Sequence, residues 1–272
     1  MTGAPPNPPR TVEVMGLQFD AVTEQGCVDH IAAALESERG GVVVTANLDH
    51  LLRAQTNMRY RRIAREADLL VADGMPIVWS SRLAGTPLPE RVAGSGMLLP
   101  LVEAMGAHGR SVYLLGGNPG VAESAGDELA RRCGVTIAGT RCPPVGFERD
   151  PAEMDAIRAD LARANPDLIL VALGSPKQEY LIDELRRELP GAWWMGIGIA
   201  LSFVVGDVPR APAWMQRAGL EWAHRLGAEP GRLAGRYLRD GVPFAARLGV
   251  WALRRRFGGS RTRRGPGSDC PA

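Results

Sequence analysis

From Val42 onward, short apolar runs rich in β-branched residues alternate with longer polar-apolar stretches of helical period, and this alternation constrains the fold more than any other feature. Runs of four to six apolar residues are too short for helices, and their near-continuous hydrophobicity requires cover on both faces. A chain that alternates them with helices satisfies both demands by building βαβ units around a mostly parallel sheet, a Rossmann-like α/β fold. The expected strands are Val42–Ala46, Leu69–Ala72, Ser111–Leu115, Thr136–Gly139, Leu168–Leu173 and Trp193–Ile197. The expected helices cover roughly Asp49–Arg65, Gly96–Ala107, Gly120–Arg132, Pro151–Arg163 and Lys177–Glu188, and Val12–Phe19 reads as an extra hairpin at one edge.

In an open parallel sheet, ligands sit beyond the carboxyl ends of the strands. The segments that follow the strands here are Thr45-Ala-Asn47, Asp73-Gly74-Met75-Pro76, Gly116-Gly117-Asn118-Pro119-Gly120, Gly174-Ser175-Pro176-Lys177-Gln178-Glu179 and Gly196-Ile197-Gly198. All carry glycine or polar groups. Converging on one edge, they would line a crevice suited to a nucleotide.

Asp73 stands at a strand tip, where a carboxylate can take the proton of an attacking hydroxyl. Asp-Gly is equally a turn or a helix cap. Lys177 is the only lysine among 32 basic residues, and a compact ammonium at a helix start suits a phosphate or sugar oxygen, although it also reads as a surface lysine. Gln178 can both donate to and accept from a sugar hydroxyl or base edge. Gly196-x-Gly198 is half a dinucleotide fingerprint and lacks the third glycine and the following acid. The sequence has no Asp-x-Asp pair, no paired histidines at metal spacing, no G-x-S-x-G and no P-loop, so no metal is expected and arginines and helix N-termini would have to stabilise a leaving phosphate.

Charge is unevenly placed. The net charge of the 272 residues is only +2, yet residues 210–272 hold 13 arginines against Glu221, Glu229, Asp240 and Asp269. That segment, dotted with Trp214, Trp222, Tyr237, Phe244, Trp251 and Phe257, points to a polyanionic partner or to a solvated basic face. Residues 241–257 are too short and too charged to span a bilayer; they can lie in its interface or pack on the domain. The expected organisation is a loose tail over residues 1–10, a catalytic domain over 11–208, a basic helical appendage over 209–257 and a basic tail over 258–272. The first ten residues read as neither signal peptide nor membrane helix. Cys27, Cys133, Cys142 and Cys270 form no CxxC pair, which fits a reducing compartment.

Taken in order, Thr45-x-Asn47, Asp73-Gly74, Arg91 with Gly94, the Gly116–Gly120 turn, Gly146-Phe147, GSPKQE at 174–179, Gly196-x-Gly198, Arg210-Ala-Pro212, Leu220-Glu-Trp222 with Arg225, Glu229-Pro230, Arg232 and Arg236-Tyr237 resemble the WecG/TagA/CpsF glycosyltransferases. The resemblance covers about Val12 to Tyr237. It implies a metal-independent, inverting transferase without a cofactor, which moves N-acetylmannosamine or a related sugar from UDP to a polyprenyl-diphosphate-linked acceptor at the inner face of the cell membrane. By the same resemblance Asp73 is the base, and Thr45, Asn47, Arg91, Asn118, Lys177, Gln178, Glu179, Gly196 and Gly198 contact substrate. Arg210, Arg225, Arg232 and Arg236 would meet leaving-group or acceptor phosphate. Nucleic acid is not an expected partner, and self-association is left open. Two positions depart from the family pattern: Gly96 stands where an acidic residue is usual, and Leu201-Ser202 replaces Phe-Asp.

Two other readings stand beside this one. A nicotinamide-dependent oxidoreductase would use the G-x-G turn, and a non-catalytic protein would dock on anionic membrane through its basic end.

Overall fold

The computed structural model describes residues 9–212, 214–215, 221–228, 231, 235 and 237–258. The chain opens with β1 (Thr11–Val14) and β2 (Leu17–Asp20), joined by Met15-Gly16, both at positive φ (48° and 81°), as a two-residue hairpin turn of this handedness requires. Then follow α1 (Glu24–Glu36), β3 (Gly41–Ala46), α2 (Leu48–Thr56), α3 (Met58–Arg65), β4 (Leu69–Ala72), α4 (Met75–Leu83) and α5 (Gly94–Ala107). The second half runs β5 (Ser111–Gly116), α6 (Val121–Cys133), β6 (Thr136–Arg141), α7 (Pro151–Ala164), β7 (Leu168–Ala172), α8 (Lys177–Leu185), β8 (Trp193–Gly196) and α9 (Ala200–Val204). Beyond it lie α10 (Glu221–Ala228) and α11 (Val242–Gly258).

Six strands form one parallel sheet in the order β4-β3-β8-β7-β5-β6. Every residue of β4, β7 and β8 is buried, which is why these segments read as unbroken apolar runs. Helices cover both faces. One core holds residues of α2, α3, α4, α7, α8 and α11; the other holds residues of α1, α5, α6 and α9. Trp194 and Trp193, adjacent in β8, point into opposite cores, as strand geometry requires. Neighbouring strands β3 and β8 therefore lead into helices on opposite faces, α2 and α9. Such a switch point opens a crevice beyond the strand tips.

The expected α/β architecture is present, with particular differences. The stretch expected as one helix over Asp49–Arg65 is broken at Asn57, whose N–H closes α2 on the Arg53 carbonyl and whose side chain accepts from the Tyr60 N–H to start α3. Asparagine competes with the helical backbone through its own side chain, so it divides the run. α1 and α4, which the sequence reading did not place, are both present. The N-terminal hairpin forms, but as a separate two-stranded sheet beside β4. Its link to β4 is the Leu70 N–H, which donates to the Asp20 carboxylate at 2.7 Å.

That contact has a pH signature. Burial raises the Asp20 carboxyl to about 6, with the Leu70 hydrogen bond opposing the shift. An acid raised on folding adds stability that is full below its unfolded value near 3.8 and is lost as pH rises through 6. At neutral pH its buried charge is a cost. A two-unit shift corresponds to ~3 kcal/mol at most, and partial solvent access reduces this to about 1 kcal/mol. Asp20→Asn keeps the acceptor, so it is expected to be about 1 kcal/mol more stable than the parent at pH 7.5 and to lose that advantage by pH 4. Denaturant melts at the two pH values measure the difference.

The end of the chain is built onto the domain. Phe244, Leu248 and Ala252 recur every four residues along one face of α11 and are fully buried. Phe244 and Leu248 enter the core shared by α2 and α4. The opposite side exposes Val250, Leu253 and Phe257 among arginines.

Candidate active site

At the tips of β3, β4, β7 and β8 the loops enclose a cavity of about 590 Å³, within the range of sites for small organic ligands. Thr45 and Asn47 arrive from β3, Asp73 from β4, Gln178 from the start of α8, and Gly196 and Gly198 from β8. Glu221 and Trp222 of α10 reach it from the C-terminal segment.

Each side chain is placed by local chemistry. The Asn47 Oδ1 accepts the Asp49 and His50 N–H groups and caps α2, so its amide NH₂ is the group it can offer a ligand. Thr45 is nearly buried, and Gly94 opens α5 against it: a Cβ on Gly94 would lie 3.1 Å from the Thr45 hydroxyl and 3.3 Å from the Gly196 carbonyl. A side chain there would press on both neighbours by a few tenths of an ångström, so glycine suits the close approach of α5 to the tips of β3 and β8. The Asp73 N–H donates to the Ala46 carbonyl at 2.9 Å, extending the β3–β4 ladder by one residue before Gly74 turns the chain into α4. Its carboxylate is thereby left at the cavity wall, one quarter exposed.

Charged groups alternate along the cavity rim. Arg91, whose neighbour Val92 is tied to the Ala72 carbonyl, lies 3.8 Å from Asp73 and 2.5 Å from Glu221. Glu221 in turn lies 3.9 Å from Arg210. The chain Asp73–Arg91–Glu221–Arg210 thus ties the domain to its C-terminal segment. Elsewhere in the lining, the Gln178 carbonyl accepts the Gly198 N–H at 3.1 Å and its NH₂ donates to Glu179 at 2.9 Å. Among the described residues, no three of His, Cys, Asp and Glu come together as metal ligands.

The chain matches the glycosyl transferase WecG/TagA/CpsF family over residues 12–258. It belongs to that family. A relative from Bacillus spizizenii, N-acetylglucosaminyldiphosphoundecaprenol N-acetyl-beta-D-mannosaminyltransferase, is 32% identical over 207 residues, covering 75% of this chain and 78% of its own. Among solved structures, a sulfate-associated arylmalonate decarboxylase variant aligns with 70% of this chain and 79% of its own at 16% identity and a TM-score of 0.28, a likeness that bears on neither fold nor chemistry here.

Within this glycosyltransferase, the sequence-expected residues separate into groups. Thr45, Asn47, Asp73, Arg91, Gln178, Gly196 and Gly198 line one cavity. Arg210 stands behind Glu221. Lys177 lies off the cavity wall, with its ammonium 2.9 Å from Glu148. Asn118 is exposed after β5, away from the cavity. Glu179 is 5% exposed and sits beneath the wall rather than in it. Arg225 falls within α10, its side chain outside the described residues, and Arg232 and Arg236 lie outside them altogether.

Glu221, quoted from sequence only within the Leu220-Glu-Trp222 motif and given no role, lines the cavity, as do His50 and Trp79, for which the sequence suggested none. For His50 a signal existed: it follows Asn47 by three residues, the capping-box spacing, and its ring does accept the Asn47 N–H at 3.0 Å. The departure at Gly96 also has a structural counterpart. The Glu24 carboxylate of α1 occupies the adjacent space, so that a Cβ at Gly96 would lie 2.6 Å from it. Burial, then the nearby Glu90, raise the Glu24 carboxyl above its ordinary value, while Arg210 and Arg91 oppose the shift. The second departure, Leu201-Ser202, is buried in α9.

Proposed function

We propose that this enzyme transfers N-acetylmannosamine, or a closely related sugar, from UDP to a polyprenyl-diphosphate-linked saccharide, with inversion and without a metal ion. The observation that carries the reading is the Asp73 carboxylate on the wall of the cavity that Gln178 also lines, 3.8 Å from Arg91. In this mechanism an acceptor hydroxyl attacks the anomeric carbon and gives its proton to Asp73. The new C–O bond forms as the bond from the anomeric carbon to the β-phosphate oxygen breaks, and UDP leaves with that electron pair. Arg91 and Arg210, joined by Arg225, Arg232 and Arg236 of the C-terminal segment, balance the charge that develops on the diphosphate. Thr45, Asn47 and Gln178 hold the sugar nucleotide.

What supports this acceptor is the Bacillus relative, whose name specifies an N-acetylglucosaminyl-diphosphoundecaprenol. A lipid acceptor of this kind supports a reaction at the membrane surface, read here as its inner face, in the synthesis of a cell-surface polymer. No helix among the described residues is long and apolar enough to cross a membrane. The exposed Val250, Leu253 and Phe257, beside Arg254 and Arg256 on α11, support the reading of this face as one that rests on anionic headgroups. The nicotinamide reading is disfavoured, because the Gly198 N–H that would meet a pyrophosphate is held by Gln178 and the helix that follows has only five residues.

The test is a transfer assay with UDP-N-acetylmannosamine and a lipid-diphosphate-linked N-acetylglucosamine, run with and without a chelator. The expected product has the anomeric configuration opposite to that of the donor by NMR, formed at an unchanged rate with chelator present. Retained configuration or chelator-abolished transfer would refute the mechanism, and no transfer from any UDP-sugar would refute the activity.

A further inference from the structure

Beneath the cavity wall, one internal polar chain joins three strand-end loops. The Asn47 N–H, after β3, donates to Nδ1 of His50 at 3.0 Å. An imidazole nitrogen that accepts cannot carry the proton, so a neutral His50 bears it on Nε2. That nitrogen lies 3.7 Å from Oε1 of Glu179. The same carboxylate oxygen accepts from Nε2 of Gln178 at 2.9 Å, and Oε1 of Gln178 accepts the Gly198 N–H, after β8, at 3.1 Å. His50, Gln178 and Glu179 are each at least nine-tenths buried. The His50 ring stacks nearly parallel on the buried Tyr60, whose phenol is pushed well above its ordinary range by burial and by Glu179.

The order of these groups decides which way the Gln178 carboxamide faces. A carboxylate only accepts, so it must meet the NH₂; a backbone N–H only donates, so it must meet the carbonyl. Reversing the amide would set two acceptors against each other on one side and two donors on the other. Steric fit tightens the arrangement, because a Cβ on Gly196 would lie 2.4 Å from Nε2 of Gln178. What remains for the cavity is the second amide hydrogen and the second carbonyl lone pair, each on a fixed side.

We infer that Glu179 is a positioning residue: it touches no substrate, and it acts by holding the Gln178 carboxamide in the single orientation that presents its N–H and carbonyl correctly to a sugar nucleotide. A neutral carboxamide in its place can donate as well as accept, which lets Gln178 turn over and release Gly198. The inference depends on the sugar-nucleotide reading only for the choice of probe.

The experiment is a double-mutant cycle on the full-length protein, with UDP-N-acetylmannosamine affinity measured by calorimetry for the parent, Glu179→Gln, Gln178→Ala and the double variant. Each single variant is expected to bind roughly tenfold more weakly and the double variant no more weakly than Gln178→Ala alone, since residues acting through one interaction are not additive. A second readout needs no ligand: the two side-chain amide protons of Gln178 are expected as separate, protected NMR signals in the parent and as shifted, unprotected ones in Glu179→Gln. Additive losses, or Gln178 amide signals that ignore the substitution, overturn the inference. If the parent binds no UDP-sugar while the amide signals still follow Glu179, the donor assignment falls and the positioning role stands. Should Glu179→Gln not fold, Glu179→Asp, which draws the carboxylate back by one methylene, takes its place with the same expected non-additivity.

Discussion

Asp73→Asn is expected to lower transfer about 10³-fold while UDP-sugar affinity stays within about threefold of the parent, because the substitution removes the proton acceptor, whereas Arg91, 3.8 Å from it, keeps its nearer partner Glu221. Asparagine is nearly isosteric with aspartate. The backbone bond from the residue 73 N–H to Ala46 is untouched, and so is the turn at Gly74 that begins α4. A base is needed only as the acceptor hydroxyl attacks, so its loss appears in kcat far more than in donor binding. Steady-state kinetics with calorimetry on the same preparation checks both halves. An Asp73→Asn enzyme that retains full activity would refute the assignment of the base; one that binds no donor would show that the carboxylate holds substrate instead.

Arg91→Ala should reduce kcat/KM by about 10²-fold, equivalent to about 2.7 kcal/mol. Arg91 stands between two carboxylates, 3.8 Å from Asp73 and 2.5 Å from Glu221, and its own side chain is only 18% exposed. Without it, a negative rim faces a leaving group that is becoming more negative. The loss should therefore weigh on kcat more than on donor KM, since the diphosphate gains charge as the bond to the sugar breaks. Arg91→Lys should recover part of the rate by restoring charge without the planar fork. Kinetics within about threefold of the parent for Arg91→Ala would exclude a role for this cation in the transition state.

Much of this fold was legible because buried parallel strands leave a strong trace. Segments such as Leu168–Ala172 and Leu69–Ala72 admit no polar residue, as both faces meet a core. Weaker traces account for what was missed. α4 begins with Met75-Pro76 and carries its buried residues in short clusters, so no long apolar period announces it. The break at Asn57 depends on a side chain that accepts from the backbone three residues ahead, and apolar spacing does not encode it.

Which residues gather at the candidate cavity was legible to a similar degree, and for a related reason. Residues that follow strands directly, such as Asp73 and Asn47, are carried to the sheet edge by topology alone, so finding the strand finds the residue. Glu221 arrives from another part of the chain: the Leu220-Glu-Trp222 motif contains it, but only its contact with Arg91 gives it a place in the cavity rim. Lys177, the sole lysine, lies one residue from Gln178, yet it meets Glu148 outside the cavity while Gln178 points inward. Adjacent positions at the start of a helix face different directions, and rarity of a residue type does not tell which way it points.

The most direct measurement is a crystal structure of the Asp73→Asn variant with a UDP-sugar and a water-soluble acceptor analogue bound together. The account predicts the attacking hydroxyl within hydrogen-bond reach of the residue 73 side chain, about 2.6–3.2 Å, with the diphosphate against arginines at the Arg91 rim. An acceptor hydroxyl seated beside another group, or a sugar nucleotide lodged at the tips of β5 and β6 near Asn118, would contradict it.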